Sequence, residues 1–331
     1  MSQSRHMKCV SIIFMILFLF LFWTVPFGAW AKTTVFKIAT GEYMGRYYPT
    51  GGAIAEIVNN KQEEYEFRCT AKPTSGSVFN INAIMAGDME FGIVQSDSQY
   101  QAFNSLAEWK DKGPQKDLRA MFSLYTESVT LIASIDSGAK TIQDLKGKRV
   151  DIGKIGSGSR QNAIDALKAA GIDWKTDINV IKIGKNTDAQ SMLMRGELDA
   201  FFYTVGHPTT AIKFATVGGK KTLFIPIVNI EELLSKNPYY VKSIIPVSLY
   251  PQTANEEDVK TFGVKATFVT SAKIPDNVVY AITKEVFENL GSLKYSHPTL
   301  KMLTKESMVT DGLTAPMHPG ALQYYKEAGL K

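Results

Sequence analysis

The chain has 331 residues, 45% of them hydrophobic and 21% charged, with a net charge of +5 from 37 basic and 32 acidic side chains. So even a balance gives no electrostatic footprint for nucleic acid or a membrane surface. The length is enough for substantial hydrophobic cores, and chains of this size usually divide them between two domains.

Residues 1–31 carry Arg5 and Lys8, an almost wholly apolar run over 10–23, then Pro26, Gly28 and Ala29-Trp30-Ala31. That is the pattern of an export signal with a small-x-small cleavage site. The run is shorter than the roughly 20 apolar residues a membrane span requires. Cleavage after Ala31 is expected, leaving a soluble, non-spanning mature chain outside the cytoplasmic membrane. Cys9 precedes the apolar run, which argues against a lipid-anchored terminus. Of the two cysteines only Cys69 then remains, so no internal disulfide can form and Cys69 is expected as buried apolar filler.

The mature chain opens with a short strand at 35–39, a helical apolar spacing at 53–60, an alternating strand at 65–69, a helix at 78–86 and a continuous apolar strand at 91–94. Strands alternating with helices argue for a mostly parallel, doubly wound α/β sheet. Residues 120–125 and 129–134 then read as two strands with no helix between them. A second α/β unit follows, with helices at 142–145, 161–170 and 190–195 and strands at 149–152, 180–183, 200–203 and 223–227. A strand at 263–270 and a long amphipathic helix at 277–290 lead into the tail. The simplest arrangement is a leader over 1–31, one lobe over 32–127 that resumes over 262–331, and a second lobe over 128–261. The two connections fall near 127–134 and 258–269. A double crossover of this kind permits hinge closure about a cleft.

Five polar loops each follow an apolar run and precede a helical pattern: Thr40-Gly41 to Pro49-Thr50-Gly51-Gly52, Thr74-Ser75-Gly76-Ser77, Gln95-Ser96-Asp97-Ser98, Gly156-Ser157-Gly158-Ser159-Arg160 and Tyr203-Thr204-Val205-Gly206-His207. In open α/β sheets ligands lie beyond the carboxyl ends of the strands, where helix-start N–H groups favour a polar or anionic guest. Ser157, Ser159 and Arg160 can converge hydroxyls, free amides and a guanidinium on one carboxylate; simple N-capping with a solvated arginine is the competing reading. Ser75 and Ser77 open their helix in the same manner. Gln95 can both donate and accept at a cleft floor, Thr40 ends the first strand, and Tyr47, Tyr48 and Tyr203 can wall the cleft. Asp97 reads as a helix cap before it reads as an ammonium ligand, and His207 beside Pro208 as a turn residue.

Enzyme signatures fail. Ser159-Arg160 stands where a phosphate loop needs Lys-Ser or Lys-Thr, Gln161 stands where the dinucleotide fingerprint needs glycine, and no Gly-x-Ser-x-Gly elbow exists. His207, His297 and His318 lack metal-ligand spacing. No catalytic residue, metal or cofactor is expected.

These loops, in this order, resemble the TAXI family of extracytoplasmic solute receptors, which serve tripartite ATP-independent periplasmic (TRAP) transporters. The likeness is carried by Tyr47-Tyr48-Pro49-Thr50-Gly51-Gly52, Thr74-Ser75-Gly76-Ser77-Val78, Ile93-Val94-Gln95-Ser96-Asp97 with Tyr100-Gln101-Ala102, Asp144-Leu145-Lys146-Gly147-Lys148-Arg149-Val150, Gly156-Ser157-Gly158-Ser159, Leu198-Asp199-Ala200-Phe201-Phe202 and His318-Pro319-Gly320-Ala321. The resemblance implies a two-lobed type II periplasmic-binding-protein fold that closes on a carboxylate, glutamate-like amino acids prominent among them, and hands it to membrane permease subunits. Glu42, Met44 and Arg46 depart from the family's glycine-rich first loop. A receptor of the same fold feeding an ATP-driven importer or a sensor kinase, and a secreted α/β enzyme, are the alternatives.

Overall fold

The computed structural model describes residues 33–183 and 188–331; the expected leader lies outside the described residues. The first half comprises β1 (Thr34–Ala39), α1 (Tyr47–Asn59), β2 (Phe67–Lys72), α2 (Ser77–Ala86), β3 (Phe91–Gln95) and α3 (Ser96–Phe103). Next come β4 (Leu118–Ser134), β5 (Arg149–Asp151), α4 (Gly158–Ala169), β6 (Asn179–Val180), α5 (Ala189–Arg195), β7 (Ala200–Val205), α6 (Thr210–Val217) and β8 (Thr222–Phe224). The chain finishes with α7 (Glu231–Lys236), β9 (Val241–Ile245), β10 (Val259–Ser271), α8 (Asp276–Glu288), α9 (Leu290–Ser296), α10 (Lys305–Thr310) and α11 (Pro319–Glu327).

One open sheet runs β2-β1-β3-β10-β4-β7-β5-β6, with β8 added to β4 and β9 to β10. Its flanks are parallel, β2-β1-β3 on one side and β7-β5-β6 on the other. The centre is antiparallel through β10 and β4. The α/β class with a mixed, non-barrel sheet therefore holds, and the parallel pairing foreseen from the strand–helix rhythm is confined to the flanks.

β4 and β10 are 17 and 13 residues long, two to three times a usual strand of about 5–6 residues. They run from one half of the sheet to the other. Leu118 to Ser123 of β4 pairs the end of β10 beside β3, while Ser128 to Ala133 pairs β7. What the sequence presents as two strands is thus one, and the polar stretch Thr126-Glu127-Ser128 lies inside it rather than in a turn. Each half has its own apolar core. Ile38, Ile54, Phe91, Phe122, Phe268 and Phe287 belong to one cluster, to which α8 and α11 of the tail also contribute. Val129, Leu131, Val150, Leu167, Phe202 and Phe262 belong to the other. Phe122 and Phe91 stack on either side of Phe268 at 4.9 and 5.9 Å, tying β4, β10 and β3 together. Stacked pairs of this kind add about 0.5–1.5 kcal/mol beyond their buried area.

Helix α1 starts six residues earlier than its apolar spacing suggests, so Pro49-Thr50-Gly51-Gly52 is helix and not loop. Proline is tolerated in a first turn because the N–H it lacks would have no intrahelical partner there. A Cβ on Gly51 would come within 2.5 Å of Thr40 Cγ2, so glycine is what lets α1 lie directly on β1.

Candidate ligand-binding site

The carboxyl ends of β1, β3, β5 and β7 converge on a cavity of about 90 Å³, room for several waters or one small solute. It is enclosed by both halves of the sheet. Phe79 N, at the start of α2, donates to Gly156 O at 3.0 Å. Asn162 of α4 donates to buried Asp97 of α3 at 2.6 Å. Glu42, after β1, forms an ion pair with Lys154, after β5. These three contacts join the two halves of the sheet across the cavity.

Seven of the residues singled out above line it: Tyr47, Ser75, Ser77, Gln95, Ser157, Ser159 and Tyr203. Gln95 is 2% exposed and its Oε1 has no hydrogen-bond partner among the described residues. Ser77 Oγ accepts from Gln95 N at 3.1 Å. Ser157 caps α4 by accepting from Arg160 N at 3.3 Å, and Ser159 Oγ accepts from Thr204 N at 3.2 Å, joining α4 to β7. A side-chain acceptor left unpaired in a buried site costs about 1–3 kcal/mol unless something donates to it.

Three expectations need correcting. Arg160 is outside the lining: its Nη1 donates to Gly153 O at 3.1 Å and its guanidinium lies over Trp174 at 5.3 Å. It is the third residue of α4 while Ser159 is the second, and one step of about 100° around the helix separates a cavity-facing position from an outward one. Thr40 is fully buried beneath the site, not facing it; its Oγ1 donates to Lys72 O at 2.6 Å and its carbonyl accepts from Asn80 at 2.6 Å. Tyr48 also lies off the lining and packs on Tyr43 at 4.7 Å. Cys69 is buried in the first core, as expected.

Among the described residues the cavity is lined by two cations, Lys154, which pairs with Glu42, and Arg46, immediately before α1. Arg46 is 7% exposed and lies among Tyr125, Tyr203 and Tyr250. Its Nε has no hydrogen-bond partner among the described residues, and burial pulls its pKa below the ordinary guanidinium value. A buried donor of a charged group left without an acceptor costs the fold free energy. Glu127 also lines the cavity, 2% exposed, with Tyr47 OH donating to its Oε2 at 2.7 Å.

Residues 38–329 match the NMT1-like family. The chain belongs to that family. Among solved structures, this NMT1-like protein is similar to a protein from Bordetella bronchiseptica RB50, at 13% identity over 90% of this chain and 99% of that one, with a TM-score of 0.54. It is also similar to a TctC solute binding protein from Polaromonas (14% identity, 90% and 97% coverage, TM-score 0.47) and to the periplasmic aliphatic sulphonate binding protein SsuA from Escherichia coli (14%, 80% and 72%, 0.44). At these identities the likeness is one of fold, and function must be argued from the site.

In this NMT1-like cavity the acids are perturbed by burial. Desolvation pushes Glu127 up to about 8 and Asp97, one layer below, up to about 7. His207, hydrogen-bonded to Thr130 and Tyr250, is driven down to about 3 by desolvation. The stability consequences have opposite signs. Each raised carboxyl binds its proton more tightly folded than unfolded, so its contribution is complete below the ordinary carboxylate range and is lost as pH climbs towards 7–8. His207 stays neutral in the fold, so its contribution is complete above its ordinary 6.5 and is lost as pH falls towards 3. Melting of the ligand-free protein should therefore peak in mildly acid buffer and drop by roughly 5 °C or more between about pH 5.5 and 8. A differential scanning fluorimetry series that is flat or rising over that interval would contradict the burial of Glu127 and Asp97.

Proposed function

We propose that this protein is the extracytoplasmic solute-binding receptor of a TRAP transporter, closing on a small carboxylate such as glutamate or a related amino or organic acid. Residues 32–127 with 262–331, and residues 128–261, act as the two lobes. The leader is removed near Ala31 and the receptor works in the periplasm, passing its solute to membrane permease subunits. The observation that carries this reading is Arg46, a buried guanidinium with an unpartnered Nε in a cavity that both halves enclose. A carboxylate in the cavity supplies the missing counter-charge, and Gln95 with the start of α4 supplies further polar contacts. A solute touching both halves favours the closed arrangement by its differential affinity. The order of loop motifs similar to those of the TAXI family supports the choice of transporter.

The test is a thermal-shift screen with amino acids, mono- and dicarboxylates, and sulfonates. A carboxylate at about 100 times its Kd stabilises by about 2.7 kcal/mol and raises the melting temperature by several degrees. No response to any carboxylate, with a clear response to another class, would sink the reading. For the transporter, solute uptake into vesicles bearing the permease should proceed on an ion gradient without ATP; a strict ATP requirement would assign the receptor to an ATP-driven importer instead.

A further inference from the structure

We propose that Glu127 selects for amino acids, its carboxylate receiving the ammonium group of a ligand whose carboxylate lies against Arg46. The inference rests on the carboxylate-receptor reading above and assigns a role that the reading leaves open.

The other acids of the lining are already engaged. Glu42 pairs with Lys154. Asp188 caps α5, accepting from Ser191 N at 2.7 Å and Ser191 Oγ at 3.1 Å. Asp151 accepts from Gly153 N at 3.1 Å and feels the positive charges of Arg160 and Lys154. Among the described residues Glu127 has only the Tyr47 hydroxyl, at 2.7 Å. The other groups acting on it are Tyr125 of its own strand, Tyr203 of β7 and Asp97 of α3. These are neutral hydroxyls and an acid, and none of them is a cation.

Arg46 and Glu127 line the same cavity, and both act on Tyr125 and Tyr203. A buried cation and a buried carboxyl are thus presented in one cavity without neutralising each other. A monocarboxylate or dicarboxylate satisfies only the arginine. An α-amino acid satisfies both, and the proton ledger is simple. Burial keeps the empty-state Glu127 carboxyl protonated at neutral pH, with its pKa near 8. When a ligand ammonium arrives, that carboxyl releases its proton to solvent and an ammonium–carboxylate pair forms. No other bond changes.

Isothermal titration of the protein with glutamate and with its deaminated analogues, glutarate and 2-oxoglutarate, tests this. Wild type should prefer glutamate by about 10-fold or more and release close to one proton at neutral pH, read from the dependence of binding heat on buffer ionisation enthalpy. The Glu127→Gln variant should lose the proton release, and its glutamate-to-analogue ratio should fall towards one. Residual binding of the analogues reports that the variant is folded, and the wild-type proton count requires no variant. Equal losses for all three acids in Glu127→Gln, or a wild type that prefers an analogue or releases no proton, would overturn the role of Glu127 while leaving the receptor reading intact. Absence of binding by all three acids, together with no response to any amino acid in the thermal-shift screen, would overturn the role of Glu127, and no response to any carboxylate would overturn both.

Discussion

Replacing Arg46 with Met should weaken binding of the preferred carboxylate by about 30- to 1,000-fold and at the same time raise the melting temperature of the ligand-free protein. The two effects share one cause. With the cavity empty, the Arg46 guanidinium is 7% exposed, its Nε is unpartnered and its neighbours are tyrosines. Removing a desolvated charge of that kind relieves the fold, and the Met side chain retains the aliphatic packing of the arginine stem. With ligand bound, the same guanidinium supplies a charge-assisted contact in a water-poor site, and its loss leaves the ligand carboxylate buried and unpaired. Titration calorimetry and ligand-free melting on the same preparation separate these effects. Unchanged affinity would remove Arg46 from the site, and a lower melting temperature would show that the guanidinium is compensated in the empty protein.

Arg46 was also the residue that sequence reasoning passed over in favour of Arg160. Both follow glycine-bearing loops, and local spacing cannot tell them apart. The difference arises from residues far away in the chain: Tyr125, Tyr203 and Tyr250 enclose Arg46, whereas Trp174 and Gly153 O hold Arg160 away from the cavity. Gln95, Ser157 and Ser77 were legible because their positions follow from a local rule, an apolar strand ending where a helix starts. Glu127 follows no such rule. It interrupts an apolar run and has the composition of a connection, yet Thr126-Glu127-Ser128 lies inside β4, where the strand passes under the cavity. The length of β4 was hidden for the same reason, since a functional polar stretch inside a strand has the composition of a turn. The parallel flanks, by contrast, followed directly from the alternation of apolar strands with helical patterns.

The proposed closure can be tested at Gly158, which packs against Gln95 and Ser98 of the other half. A Cβ placed there would lie 1.8 Å from Gln95 Oε1, 2.6 Å from Gln95 Cδ and 3.0 Å from Ser98 Oγ. Gln95 is 2% exposed and Ser98 1%, so an added methyl is accommodated only by pushing the Gln95 amide into the cavity that the ligand would fill. Overpacking of this order costs about 1–3 kcal/mol, which corresponds to about 5- to 150-fold in an equilibrium. Gly158 belongs to α4 in one half while Gln95 and Ser98 belong to β3 and α3 in the other, so the penalty falls on the closed arrangement and not on the folding of either half. Gly158→Ala should therefore bind ligand about 5- to 150-fold more weakly, show little loss of melting temperature, and retain an open, larger radius of gyration in X-ray scattering at ligand concentrations that compact the wild type. Gly52→Ala is the matched control: it lies within α1, its Cβ would meet nothing within 4 Å, and alanine in a helix is favoured over glycine by roughly 0.5–1 kcal/mol. If Gly158→Ala closes and binds like wild type, the contact between Gln95 and α4 is not what limits closure. If it melts far below wild type, the two halves depend on that contact to fold, and the cleft is a fixed cavity instead of a hinged one.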